Sequence, residues 1–398
     1  MLSTLTLSAC LLAMPAISNA RISPDVALDN ANYIFNSVHH AMRQWGSSLD
    51  HNGMSVFLVT VPAHTEFYHG TSSSRAINGT QWLAFEPEHA LNFARCGRSR
   101  PGKGGPPPPP GGSYGEHPPP DHAAFRNQQT PLVTSDRGLG LDDRRRKREG
   151  SDPKDYAPYH ARFQLDEEPC AGYLHTYRTL RELRLLYVDG QSAAKSDKGT
   201  LDVQDLILRT PGSHEQLLNQ KPGRGPGGPP DDSVRALELC NSVGNEWEGQ
   251  IDGILRMEAG FEVILCSFED NLDVVSIKQQ KKRQGGGPGS RDSGDQLSYY
   301  QAVAARFDGI GGHRVSVDYD SLISVYAYAN ATYWDGAGLP RIANDSAITE
   351  DIREDVRIML TGTTSTTTPE AVDWQAVTDM IVGRYASRIA SLSCSISR

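Results

Sequence analysis

"TEFYHGTSSS", residues 65–74, ends an extended segment on Tyr-His-Gly-Thr and follows it with a serine-rich turn. Just before it, "MSVFLVTVP" (54–62) is a continuous apolar run of the kind that forms a buried strand. Just after it, "TQWLAFEPEHALNFA" (80–94) predicts a short strand over Trp82–Phe85 and then a helix. Pro87 and Glu88 sit in that helix's first turn, where a fixed φ and a negative charge both suit the N-terminus. The rest of the chain must complete the sheet that these strands begin.

It offers the material to do so. Residues 21–50 carry Ala27, Ala31, Ile34, Val38, Met42 and Trp45 at roughly helical spacing. "GYLHTYRTLRELRLLYVDG" (172–190) reads as two strands, and "SVRALELCNSV" (233–243) as a helix with Val234, Leu237, Leu239 and Val243 on its apolar face. "IDGILRMEAGFEVILCSF" (251–268) reads as a turn and a strongly apolar strand from Phe261 to Phe268. "LDVQDLIL" (201–208) reads as a turn or helix start. Near the C-terminus, "TPEAVDWQAVTDMIVGRYASRIASL" (368–392) predicts an amphipathic helix capped by Thr368, with Pro369 at its first position. Mixed strands and helices with long insertions point to an α+β fold.

Three segments interrupt this pattern. Residues 97–156, including "GGPPPPPGG" and "DDRRRKREG", are too poor in apolar side chains to offset their ordering entropy and are expected to be disordered. The same holds for 219–233 and 278–295. The organisation expected is a leader at 1–20, core segments at 21–96 and 157–277, and a C-terminal extension at 296–398. The dibasic pairs Lys147-Arg148 and Lys282-Arg283 are either protease sites or solvated linker charge.

The first twenty residues, apolar from Leu5 to Ile17 and ending Ser18-Asn19-Ala20, read as a signal peptide cleaved after Ala20. Asn78-Gly79-Thr80, Asn330-Ala331-Thr332 and Asn344-Asp345-Ser346 are glycosylation acceptor triplets, in keeping with an extracellular glycoprotein. Five cysteines follow the leader (Cys96, Cys170, Cys240, Cys266 and Cys394), enough for one or two disulfides with at least one left over. Their spacing contains no CxxC, so no metal is expected. A net charge of −9 argues against nucleic acid as a partner, and no second hydrophobic run is long enough to anchor the chain in a membrane.

In order, "YHGT" (68–71), "WLAFEPEHALNFA" (82–94), "HTYRTLRELRLLYVDG" (175–190) and "IDGI" (251–254) followed by "FEVILCSF" (261–268) resemble the ADP-ribosyltransferase fold of the diphtheria-toxin and PARP type. The resemblance implies NAD as substrate and Glu262 as the catalytic carboxylate. It also implies nucleotide contacts from Tyr68, His69, Gly70 and Thr71 and a stacking ring from Tyr68, Trp82 or Phe85; the acceptor is left open, with a protein acceptor or a host or microbial target as the partner to look for. A carboxylate near the ribose would stabilise the oxocarbenium-like state of nicotinamide–ribose cleavage. The chain departs from the family in two places: Trp82–Phe85 lacks a hydroxyl, and Glu258 precedes Glu262 by four residues. A divergent transferase, an NAD glycohydrolase and an inactive relative all fit. Parts of the chain also resemble secreted fungal proteins that are uncharacterised.

Each candidate has a plainer reading. His69 would be a turn histidine, Glu262 a strand-edge acid, and Trp82 and Phe85 core residues. His175 would be bonded to a neighbour. Ser192 lacks the second glycine of a nucleophile elbow, and Asp197, Asp202 and Asp205 miss the spacing of a calcium loop. The enzyme reading expects Glu262→Gln to abolish activity with little loss of stability. The alternative is a secreted glycoprotein without catalysis, an effector or wall-associated interaction protein, which expects His69 and Glu262 to lie apart or no cleft to join them; the two side chains on opposite faces would count against the enzyme.

Overall fold

The computed structural model describes residues 22–43, 53–94, 171–190, 192, 200–209, 232–258, 260–280, 299–303, 314–362 and 372–396. The expected leader, Cys96, Cys170, the side chain of Cys394, both dibasic pairs and residues 97–156 lie outside them.

Among the described residues nine strands form one sheet: β1 (Ser55–Val61), β2 (Glu66–Thr71), β3 (Gln81–Ala84), β4 (Tyr173–Thr179), β5 (Leu183–Val188), β6 (Gly253–Met257), β7 (Phe261–Leu265), β8 (Leu272–Gln279) and β9 (Ser316–Ser324). Their order is β8-β4-β2-β3-β7-β6-β5-β1-β9, and every neighbouring pair is antiparallel except β5–β6. The class is thus α+β with a mixed sheet. "IDGILRM", expected as a turn, supplies β6. Gly253 permits this, because a Cβ there would sit 2.1 Å from the carbonyl oxygen of Ile264 on β7.

Two short connections show that the sheet is not flat. Residues 62–65 join β1 to β2, and 180–182 join β4 to β5, yet each pair lies five positions apart in the order. Five spacings of a flat sheet are roughly 24 Å. The first connection can stretch to roughly 19 Å and the second to roughly 15 Å. The sheet must therefore fold over, bringing β2 and β4 onto β1 and β5. The two connections are tied where they meet. His64 N–H donates to Thr179 O (2.9 Å), Thr179 N–H to Thr65 O (3.0 Å), and the Thr179 hydroxyl to Pro62 O (2.9 Å).

Inside the fold lies one core, with Phe57 and Val59 of β1, Phe67 of β2, Tyr177 of β4, Tyr187 of β5, and Phe261 and Val263 of β7. A second core covers the other face: Val56, Trp82, Leu186, Ile254 and Ile264 meet residues from the helical elements. Those include a π-helical turn (Val203–Leu208), α4 (Asp232–Asn245) and α6 (Ser346–Thr361). The small sheet β10 (Thr332–Trp334) and β11 (Pro340–Ile342) adjoins them. The disulfide Cys240–Cys266 ties α4 to the residue after β7, just ahead of the short helix α5 (Phe268–Asn271).

Several boundaries differ from expectation for identifiable reasons. The N-terminal helix is two, α1 (Pro24–Asp29) and α2 (Ala31–His40). Asn30 separates them, its side-chain amide donating to Val26 O and Tyr326 O, both at 3.1 Å. α4 begins at Asp232 and β8 runs through Gln279, so the expected insertions 219–233 and 278–295 each overlap a regular element. On α4, Leu237 points outward and Arg235 inward, because that helix covers charged partners as well as apolar ones. The last helix, α7 (Trp374–Ile396), starts later than expected, with Asp373 accepting from Ala376 N–H (2.9 Å). Thr368 and Pro369 lie outside the described residues. Among the described residues no helix is long and apolar enough to cross a membrane.

Candidate functional site

Chain pairing decides which candidates can meet. Tyr68 pairs with Ala84, Ala84 with Glu262, and Glu262 with Arg256, so these four share one face of the sheet. Side chains alternate along a strand, so His69 points to the other face. There its Nδ1 lies 2.7 Å from Trp82 O and its ring packs on Phe268 at 5.8 Å. Burial lowers its pKa to about 4, so the ring is neutral and Nδ1–H donates. The structure does not bring His69 and Glu262 together: they lie on opposite faces of the sheet, which overturns the pairing that the enzyme reading expected and agrees with the non-catalytic one. His175 bonds to Tyr177 Oη and Ser73 O, as its plainer reading expects.

Gly70 and Thr71 are also enclosed. A Cβ on Gly70 would lie 1.9 Å from Ala90 O, so what approaches this glycine is the backbone of α3 (Pro87–Leu91). Thr71 is buried and its hydroxyl accepts from Ser73 N–H. Tyr68 is half-buried and two strands from Glu262, a spacing of roughly 10 Å. Trp82 and Phe85 are core residues, one on each side of the sheet.

Close packing of α3 on β2 delivers a residue that sequence reading did not single out. His89 faces Glu262, Nε2 to Oε2 at 3.4 Å, and its Nδ1 lies 2.9 Å from Tyr299 Oη. The two rings are stacked, with centroids 5.9 Å apart. Glu262 is only 2 % exposed. Its other oxygen accepts from Arg256 Nε at 2.8 Å. Arg256 extends the network to Gln204 (2.8 Å) and Asp232 (2.7 Å). Asp232 also accepts from Arg235 (2.7 Å), and Arg235 from its other side donates to Asp205 (2.6 Å). Arg209 pairs with Asp205 and Glu238. Glu258 and Glu86 complete the surroundings of His89.

The electrostatics follow from this arrangement. Burial alone would raise the Glu262 pKa, but the Arg256 and His89 charges outweigh it and hold the carboxyl below its usual range. Burial would lower the His89 pKa, but the hydrogen bond and charge of Glu262, with Glu258 and Glu86, raise it instead. Tyr299 is pushed up, first by burial and then by Glu258, and keeps its proton. The site therefore holds an ionised carboxylate inside the protein. His89, Glu258 and Glu262 also each offer a ligand atom within 4.8 Å of the others.

The remaining candidates are occupied elsewhere. The Ser192 hydroxyl is buried and donates to Val188 O (3.0 Å). Asp202 pairs with Arg341 (2.7 Å) and Asp205 with Arg235, while Asp197 lies outside the described residues. The three acceptor asparagines, Asn78, Asn330 and Asn344, are all exposed.

Residues 21–285 match the YPL277C N-terminal domain family. Two Saccharomyces cerevisiae proteins, Uncharacterized protein YPL277C and Uncharacterized protein YOR389W, are each 26% identical over 93% of this chain. The alignment covers 76% of the first and 59% of the second, so the chain spans less than two thirds of the latter. No solved structure matches. The family match takes in β1 through β8, with His89, Arg256 and Glu262, and stops short of Tyr299. Because it spans well over half of the sequence, the chain belongs to the YPL277C N-terminal domain family.

Proposed function

We propose that the protein is a secreted NAD-consuming enzyme of the ADP-ribosyltransferase type that cleaves the nicotinamide–ribose bond. The observation that carries this reading is the buried, ionised carboxylate of Glu262. In a site without water, a negative charge acts on a developing ribosyl cation far more strongly than at the surface. The breaking C–N bond leaves its electron pair on nicotinamide, and water or a protein nucleophile takes the ribosyl carbon. Oε1 of Glu262 is committed to Arg256, so Oε2, on the His89 side, is the oxygen that would face the substrate. His89, not His69, is the histidine beside that oxygen. Tyr299 covers this side, and substrate would have to displace it.

Free nicotinamide released from NAD by the purified protein is the test, with Glu262→Gln as control. Burial alters one expectation: removing one member of a buried charge network costs about 3–5 kcal/mol. The control must therefore be compared at a temperature where circular dichroism shows it folded. Release that disappears in folded Glu262→Gln supports the enzyme. A second variant, Tyr299→Ala, opens the covered side without touching the carboxylate and should raise release. No release from either wild type or Tyr299→Ala would overturn the reading.

The 2 % exposure of Glu262 and its separation from His69 across the sheet favour a second reading, a secreted glycoprotein in which the charge network only joins α3, α4 and the sheet. That reading expects no nicotinamide release from any variant.

A further inference from the structure

We infer that His89, Glu258 and Glu262 form a site for one divalent cation of the zinc type. The cysteine spacing that gave no expectation of metal does not bear on this site, since its donors are an imidazole and two carboxylates. The gap between His89 Nε2 and Glu262 Oε2 is 3.4 Å. Tetrahedral ligands about 2.1 Å from a zinc ion lie about 3.4 Å from one another, so this pair already has the edge length such a site requires. Glu258 follows β6, and one of its oxygens needs only a small closure from within 4.8 Å to complete three donors.

The surroundings are those of an oriented ligand set. A metal-binding histidine has its second ring nitrogen fixed by a hydrogen-bond partner, which settles the tautomer. Tyr299 Oη, 2.9 Å from Nδ1, fills that role by accepting from Nδ1–H, the tautomer that leaves Nε2 free for the metal. Arg256 holds Oε1 of Glu262 and so aims Oε2 toward His89. The turn before β7 can come this close because residue 260 is glycine; a Cβ there would meet the His89 ring at 3.1 Å. Binding a cation requires His89 to be neutral; Arg256, in contact with Glu262, then still opposes a cation, and Asp232 pairs with it. With Glu86 also against His89, carboxylates dominate the immediate field. The three donors are all buried, so a bound cation would be shielded from exchange with solvent.

The inference does not rest on the NAD reading. If both hold, the cation is an inhibitor, because a carboxylate bound to zinc cannot stabilise a ribosyl cation.

Calorimetric titration of the EDTA-treated full chain with zinc chloride alone tests it. One saturable site is expected, weakened at least tenfold in His89→Ala and in Glu258→Gln. Absence of a saturable site, or unchanged binding in both variants, would overturn the proposal. Should the variants unfold, cobalt(II) added to wild type decides. The intense visible bands of tetrahedral cobalt support the site, and the weak spectrum of the hydrated ion refutes it. Failure of nicotinamide release would leave either result standing, so the two readings fail separately.

Discussion

Arg256 and Glu262 face each other across the β6–β7 hairpin, Nε to Oε1 at 2.8 Å, in strands whose other residues carry no charge. Neither could be buried alone, and the hairpin places them so that neither is. Asp232 from α4 and His89 from α3 then approach the same pair from two directions. Helix placement on this face of the sheet is thus decided by charge as well as by apolar contact.

Arg256→Met should therefore be expensive. It leaves Glu262 and Asp232 buried with only their secondary partners, and the expected loss is about 3–5 kcal/mol in urea unfolding. Arg178→Met, which breaks the exposed pair with Asp273, should cost less than ~1 kcal/mol. Similar losses in both variants would mean that the central network contributes no more than a surface pair.

Gly70→Ala probes α3 docking without altering charge. The added methyl meets Ala90 O at 1.9 Å, and backbone cannot move aside as a side-chain tip can. The expected destabilisation lies at or above the upper end of the ~1–3 kcal/mol typical of overpacking. Loss of protection at the His89 and Ala90 amides in hydrogen exchange should accompany it. Gly79→Ala gives a contrast, since nothing lies within 4 Å of its Cβ position and only its φ of +73° resists substitution.

Two buried groups should tilt stability with pH in opposite senses. Burial raises Asp189 from 3.8 to about 6, although Ser55 N–H and Ser37 bond to it. Its contribution is complete below 3.8 and is lost as pH rises through 6. Burial lowers His69 from 6.5 to about 4, so its contribution is complete above 6.5 and is lost as pH falls through 4. Each is worth about 3 kcal/mol, and between roughly pH 4 and 6 they offset each other. Asp189→Asn keeps the acceptor for Ser55 N–H and removes one slope. Its urea midpoint should climb from pH 4 to 6.5 more steeply than that of wild type. Parallel profiles for the two proteins would refute the assignment.

The Cys240–Cys266 disulfide closes a loop with a sequence separation of 26. Reduction should lower stability by about 3–4 kcal/mol on the chain-entropy account. Cys240→Ala should lose a similar amount and then be indifferent to reductant. A variant still sensitive to reductant would mean that another bond carries the effect.

Much of this architecture was legible in the sequence. The strands of "MSVFLVTVP", "WLA" and "FEVIL" announced themselves by apolar runs, "EFYHGT" was read from its place just after the first, and Pro87 marked the start of α3. Glu262 was singled out by the resemblance, which expects a glutamate on a late strand, and a lone acid in an apolar strand is a signal in its own right. Arg256 could have been found by the same logic. It and Glu262 lie symmetrically about Ala259, so a hairpin turning on "EAG" must pair them. His89 carried no such signal, because its role depends on how closely α3 packs, and that depends on Gly70, a strand away. Asp232 was hidden by its proline-rich neighbours. The face of His69 could not be settled until the register of β2 against β3 was known, since one residue of slip exchanges the two sides of a strand.

The register of β2 against β4 has a consequence for chain length. Thr71 and Tyr173 are direct cross-strand partners, so everything between them is, topologically, the loop of a single hairpin. The entropy of closing such a loop grows only logarithmically, by about 0.6 kcal/mol for each doubling. Once β3 and α3 are accommodated, residues can be added to or removed from the remainder at almost no thermodynamic cost. The long proline- and glycine-rich stretch of 97–156 falls within that loop in the sequence, where added length costs little.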